Sequence, residues 1–145
     1  MFFKKQLFTA EQKQLIVASI QEAEKVTSGE IKVHIEPKCA KEPMPRALEV
    51  FHQLGVHKTK HKNGVLIYIA WRDKKFAIVG DSGINAVVPV NFWDSTKEAM
   101  KSHFSKGEFL EGIRLAIKET GPHLAQYFPH NDDDKNELSD EISEG

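Results

Sequence analysis

The chain has 145 residues and a mass of 16.4 kDa, the size of one domain that buries about two-thirds of its unfolded surface without disulfide or metal staples. Apolar residues make up 40% and charged residues 28%, with mean hydropathy -0.43 and net charge -1, which argues against a fibrous, wholly disordered or membrane-spanning chain because no window reaches the ~18 apolar residues of a spanning helix. Cys39 is the only cysteine, so an internal disulfide and a cysteine zinc cage are excluded.

The amino end, MFFKKQLFTAEQKQL, lacks the apolar stretch of a secretory leader, so a cytoplasmic chain is expected. Thr9 and Gln12 form a capping-box pattern, and Leu15, Ile16, Ile20, Ala23 and Val26 recur at helical spacing, predicting a helix over about 10–27. Ile31, Val33 and Ile35 then alternate with Lys32, His34 and Glu36 as a half-buried strand that stops at Pro37. Pro45 is suited to open a helix carrying Ala47, Leu48, Phe51 and Leu54 as far as Gly55. The segment HKTKHKNG reads as a polar, basic connector. GVLIYIAW is a continuous apolar run rich in β-formers, hence a central strand buried on both faces. RDKK turns the chain into FAIVG, an antiparallel partner that makes 64–80 a hairpin. After the DSG turn, Trp93, Met100 and Phe104 space out a helix over about 91–105. Phe109, Ile113, Ala116, Ile117, Leu124 and Phe128 mark a last one with an expected bend at Gly121-Pro122. The order is α-β-α-β-β-α-α. It predicts the α/β class: a three-layer, Rossmann-like α/β/α sandwich with a small mixed sheet of about four strands.

Charge separates two parts of the chain. Residues 131–145, NDDDKNELSDEISEG, hold seven acids against Lys135 alone, a charge of -6 that leaves +5 on residues 1–130. With two scattered aliphatics and no aromatics, this stretch is expected as a disordered acidic tail behind a single domain over 1–130, the alternative being a weak cation collector or an intramolecular mimic of an acidic ligand folded over the basic body. Its spacing does not fit an EF-hand loop.

TSGEIKVHI, NGVLIYIAWRDKKFAIVGDSGI and HFSKGEFLEGIRLAIKETGPHL resemble the three signature blocks of the TPM domain, over roughly residues 8 to 128. The middle block is the most specific: Asn63-Gly64 before an apolar strand, a charged turn, a second strand, and a Gly-x-x-Gly-Ile turn. Asp81-Ser82 and Asn85 depart from the family's shorter Gly-x-Gly-Leu-Glu turn. The resemblance is to a stand-alone, unanchored bacterial-type member. It implies an α/β/α sandwich, divalent-metal binding in some members, and acid phosphatase chemistry in others.

The predicted topology points to one rim independently. The first two strands, joined through a helix, should run parallel, so Glu30 and Asn63 lie where they begin. The third strand returns to the same end at Asp81, and Asp94 follows closely after Pro89. Glu30, Asn63, Asp81 and Asp94 are therefore the candidate metal ligands, and oxygen donors of this kind suit calcium or magnesium better than zinc. Each also has a structural reading: Asp81 as a turn former, Asp94 at a helix start, Glu30 solvated, and Asn63-Gly64 as a tight strand start. No HExxH, phosphate-binding GxxxxGK[ST] or GxSxG frame occurs. The lysines of HKTKHK lack the interleaved aromatics of a nucleic-acid surface.

The expected function is a metal-responsive regulatory or interaction module binding calcium or magnesium, a monomer with an unspecified protein partner, no nucleic acid and no membrane span. The alternative is a metal-dependent acid phosphatase acting on phosphomonoesters, with the ion activating water or polarising a phosphoryl oxygen. No catalytic residue is assigned.

Overall fold

The computed structural model describes residues 6–131 and 136–145. Helix α1 (Ala10–Glu24) opens with the capping box: the Gln12 amide donates to Thr9 Oγ1 at 3.1 Å, and the Thr9 amide donates to the Gln12 side chain at 2.9 Å. It ends short of residue 27 because Thr27 leaves the helix to bridge Pro129, its hydroxyl donating to the Phe128 carbonyl at 2.5 Å. Strand β1 (Glu30–Glu36) crosses through α2 (Pro43–Gln53) to β2 (Gly64–Ala70), which runs parallel to it with Glu30 opposite Gly64. Strand β3 (Lys75–Gly80) turns back antiparallel to β2 after a turn that places Lys74 at φ 53.

Short α3 (Ser82–Asn85) follows, then α4 (Asp94–Ser105) and α5 (Phe109–Ala125). Helix α5 runs through Gly121-Pro122 as one helix. The basic connector is entered through one 3-10 turn at Val56–Lys58, in which Val56, the residue before the connector, is buried. That turn lies so close to β2 that a Cβ on Gly64 would come within 2.6 Å of the Val56 carbonyl oxygen.

The sheet order is β3-β2-β1-β4, where β4 is Ser143–Glu144, parallel to β1 at His34 and Ile35. The described residues form two apolar cores, one on each face. Ile31, Val33, Ile35, Val65, Ile67 and Ile69 meet Ile16 and Ile20 of α1, Met100 and Phe104 of α4, and Ile113 and Ile117 of α5. Leu66, Tyr68, Ala70, Ala77 and Val79 meet Ala47, Val50 and Phe51 of α2. Period-two alternation puts successive residues of β2 into opposite cores, which is why that strand is apolar throughout. The result is an α/β/α sandwich.

The expected fourth strand comes from the segment expected to be disordered. Residues 136–145 form a strap along β1: Leu138 packs against the α2 core, Ile142 against the other, and the Gly145 amide donates to the Ile35 carbonyl at 2.9 Å. Residues 132–135 of the expected tail lie outside the described residues. The strap also alters β1, whose polar face is covered instead of half-exposed: Glu30, His34 and Glu36 are all buried.

Candidate functional site

Topology brings the four sequence candidates to the amino ends of β1 and β2. The Glu30 amide donates to the Asn63 carbonyl at 3.3 Å, and the Asp81 amide to the Gly64 carbonyl at 3.0 Å. Asp94 opens α4 next to Trp93, whose ring lies against Gly80. Their side chains, however, have different partners. Glu30 Oε1 accepts from the Glu137 and Leu138 amides at 2.5 and 2.7 Å. Asn63 Nδ2 donates to Ser28 Oγ at 3.3 Å. Asp94 is exposed. Among the described residues no three His, Cys, Asp or Glu side chains gather so as to hold a metal ion. The four residues share a rim without composing a ready-made ligand cage.

Asp81 stands apart from the other three. Its Oδ1 accepts from the Ser82 amide at 2.7 Å, while its Oδ2 is buried and has no hydrogen-bond partner. Across from it Lys62 adopts a left-handed backbone, φ 52, and Gly83 sits where a Cβ would fall 2.5 and 2.6 Å from the His61 and Lys62 carbonyl oxygens. The Lys62 carbonyl already accepts the Gly83 amide at 2.9 Å, so the turn holds a carboxylate oxygen lacking a donor two residues from a glycine that packs on backbone oxygens, atoms of hard character.

Beside it, under the strap, lies a small cavity of about 140 Å³ lined by Glu24, Thr27, Ser28, Gly29, Glu30, His130 and Asn136. Burial pushes the Glu24 carboxyl up to about 9, helped by a hydrogen bond shared with Asp140 and by the charge of Glu30. Burial likewise pushes Glu30 up to about 7, because the two strap amides offset it only in part and the Glu137 carboxylate adds to it. The strap therefore lays acid against acid.

The opposite end of β1 carries a polar network that sequence reasoning missed. Glu36 accepts from Arg46 Nε and Nη2 at 2.9 and 3.0 Å and from the Tyr68 hydroxyl at 2.5 Å, and its Oε1 lies 2.9 Å from His34 Nε2. His34 Nδ1 reaches Ser143 Oγ of the strap at 2.9 Å. Burial opposes the charge on Glu36, but the hydrogen bonds from Arg46, Tyr68 and His34 outweigh it and hold the carboxyl down at about 2. Burial and the Glu36 bond in turn push the Tyr68 hydroxyl up, and burial pushes His34 down. The available signal was Tyr68, a lone hydroxyl inside an apolar strand that requires a partner. Its register opposite His34 identifies the face.

The sequence profile of the TPM domain matches residues 2–122. The chain belongs to the TPM domain family. This TPM domain is similar over its full length to the NMR structure of the BA42 protein from the psychrophilic bacterium Bizionia argentinensis, with 46% identity, TM-score 0.92 and complete coverage of both chains. It shares its fold alone with the N-terminal domain of the cg2496 protein from Corynebacterium glutamicum, at 13% identity and TM-score 0.61 over 95% of this chain and 80% of that one. No curated protein sequence matches the chain. No helix among the described residues of the TPM domain is long and apolar enough to cross a membrane.

Proposed function

We propose that this TPM domain is a divalent-cation-responsive binding module, with calcium or magnesium taken at the Asp81 turn. The observation that carries the reading is Asp81 Oδ2, a buried carboxylate oxygen without a donor, since such an atom costs free energy that a cation would offset. Asp81 would supply the charge, and the His61 and Lys62 carbonyls with solvent would supply further oxygens. Glu30, Asn63 and Asp94 would act as neighbours on the rim: Glu30 already accepts two strap amides, and Asn63 holds Ser28. With one carboxylate in the shell the affinity should be modest, on the order of 10⁻⁴ M, because ligand charge and rigidity set it. The ion's effect would be to join the 59–64 loop to the turn after β3 and so favour one arrangement of the rim shown to a partner.

Amide NMR during a calcium titration tests this. Shifts centred on 61–64 and 81–85, and at least roughly tenfold weaker binding in Asp81→Ala, are expected; since 1.4 kcal/mol is a tenfold change, loss of one charged ligand should exceed that. Unchanged affinity in Asp81→Ala would remove the site. A phosphomonoester assay with and without the ion addresses the enzyme alternative, and turnover abolished in the same variant would make the domain a phosphatase instead.

A further inference from the structure

The strap is held mainly by its own backbone. The Glu137 and Leu138 amides donate to Glu30, Lys32 Nζ donates to the Ser139 and Glu141 carbonyls at 3.1 and 2.8 Å, and the Gly145 amide donates to Ile35. Such bonds engage main-chain groups along a path that bends at Leu138 and Glu141, and they leave selection to a few side chains. Here those are Leu138 and Ile142, four residues apart and packed into opposite cores, Glu144, which pairs with Lys13 at 3.0 Å, Ser143, whose hydroxyl lies 2.9 Å from His34 Nδ1, and Glu137, which accepts the Lys60 amide at 2.9 Å. The regular pairing is short, for β4 has only two residues.

We infer that the β1 edge is a docking groove for a short acidic peptide of another protein that follows the same path, and that residues 136–145 occupy it in cis until displaced. The groove matches that chemistry at most positions: Glu30 receives amides, Lys32 receives carbonyl oxygens, Lys13 receives a carboxylate, and the two cores receive aliphatics. The strap is also an imperfect occupant. It sets Asp140 against Glu24 and Glu137 against Glu30, with Lys32 the cation facing Asp140 and Glu141 and His130 lining the same cavity. A ligand with an uncharged residue at either position would keep every backbone bond and lose the repulsion. Cis occupancy lowers the apparent affinity of any competitor by the fraction of chains whose groove is open. Releasing the strap therefore raises it.

The probe is the synthetic peptide NELSDEISEG, titrated into the full chain carrying Leu138→Asp and Ile142→Asp and into the unaltered chain, with binding read from amide shifts. The released variant should bind at least roughly tenfold more tightly than the unaltered chain, with shifts at 30–36 and near Lys13. A peptide bearing the same two aspartates should not bind. Equal binding by both chains, equal binding of the aspartate peptide, or no binding by a released variant with a native dispersed spectrum would each overturn the inference. Should that variant fail to fold, hydrogen exchange in the unaltered chain decides: Leu138 and Gly145 amides opening well before those of Tyr68 support a displaceable strap, and opening only together with them overturns it. A dimeric unaltered chain that exchanges straps between copies overturns it in favour of a second copy as occupant.

Discussion

Glu30 and Glu36 lie at the two ends of the same strand, each only 6% exposed, yet their carboxyls are pushed in opposite directions, to about 7 and to about 2. Burial cannot account for the difference, since it raises both. What differs is the supply of positive charge. Glu36 is gripped by both nitrogens of one face of the Arg46 guanidinium, a planar fork matched to a carboxylate. Glu30 receives two neutral amides and faces Glu137, with Glu24 nearby. One end of β1 is a closed ion pair that stabilises the fold. The other is a cluster of acids that hold their protons, a state that changes with pH.

The largest expected effect is at the closed end. Glu36→Gln leaves Arg46 with only the more exposed Glu49 as counter-charge and should cost about 3 kcal/mol, the low end for a broken buried pair because the Arg46 side chain is 26% exposed and keeps that second partner. The midpoint of urea unfolding measures it. Arg46→Lys keeps the charge but loses the fork, and a loss of about 1–2 kcal/mol on the same scale is expected. A loss in Arg46→Lys as large as in Glu36→Gln would show that geometry, not charge, carries the pair.

Proton linkage should separate the ends next. Glu36 is ionised in the fold down to about 2 and unfolds to an ordinary carboxylate; its contribution is therefore full above about pH 4.5 and is lost on acidification towards 2. Glu24 and Glu30 stay protonated in the fold up to about 9 and about 7. Their contribution is full below about pH 4.5 and is lost as pH rises, to about 7 for Glu30 and to about 9 for Glu24. Acid thus weakens one end and tightens the other. Between pH 7 and 9 the strap resonances should move towards unstructured values while those of β2 stay fixed. Smallest of all should be Glu30→Gln, whose carbonyl oxygen can still accept both strap amides: near-neutral stability at pH 6 and a flatter profile between about pH 5 and 7 are expected.

The sequence carried the middle of the fold with little ambiguity. GVLIYIAW can bury both faces only in the centre of a sheet, and the capping box placed the first helix start at Thr9. The rim was legible too, since Glu30, Asn63 and Asp81 follow from strand direction alone. Two things were hidden for one reason. A strand with Lys32, His34 and Glu36 on one side looks solvated, and a segment with two aliphatics looks disordered, when each is judged singly. Together they cover each other: Leu138 and Ile142 bury little by themselves but cap cores already built, and backbone groups supply most of the remaining anchors. Hydropathy along a segment does not register a debt settled by another segment 107 residues away, the separation of Glu30 from Glu137.

That separation has a consequence for how the chain is made. Strands β1, β2 and β3 come from residues 30–80, but the strap is synthesised well after them. At ~5–20 residues per second the ribosome needs several seconds to pass from Gly80 to Asn136, and for that interval β1 is a bare sheet edge of the kind that recruits other chains. Lys32, His34 and Glu36 then guard against pairing with a neighbouring nascent chain before they serve as anchors for the strap. Replacing Lys32 with isoleucine should leave more of the product aggregated during translation than during refolding of the finished chain, and equal losses in the two would assign the lysine to the finished protein alone.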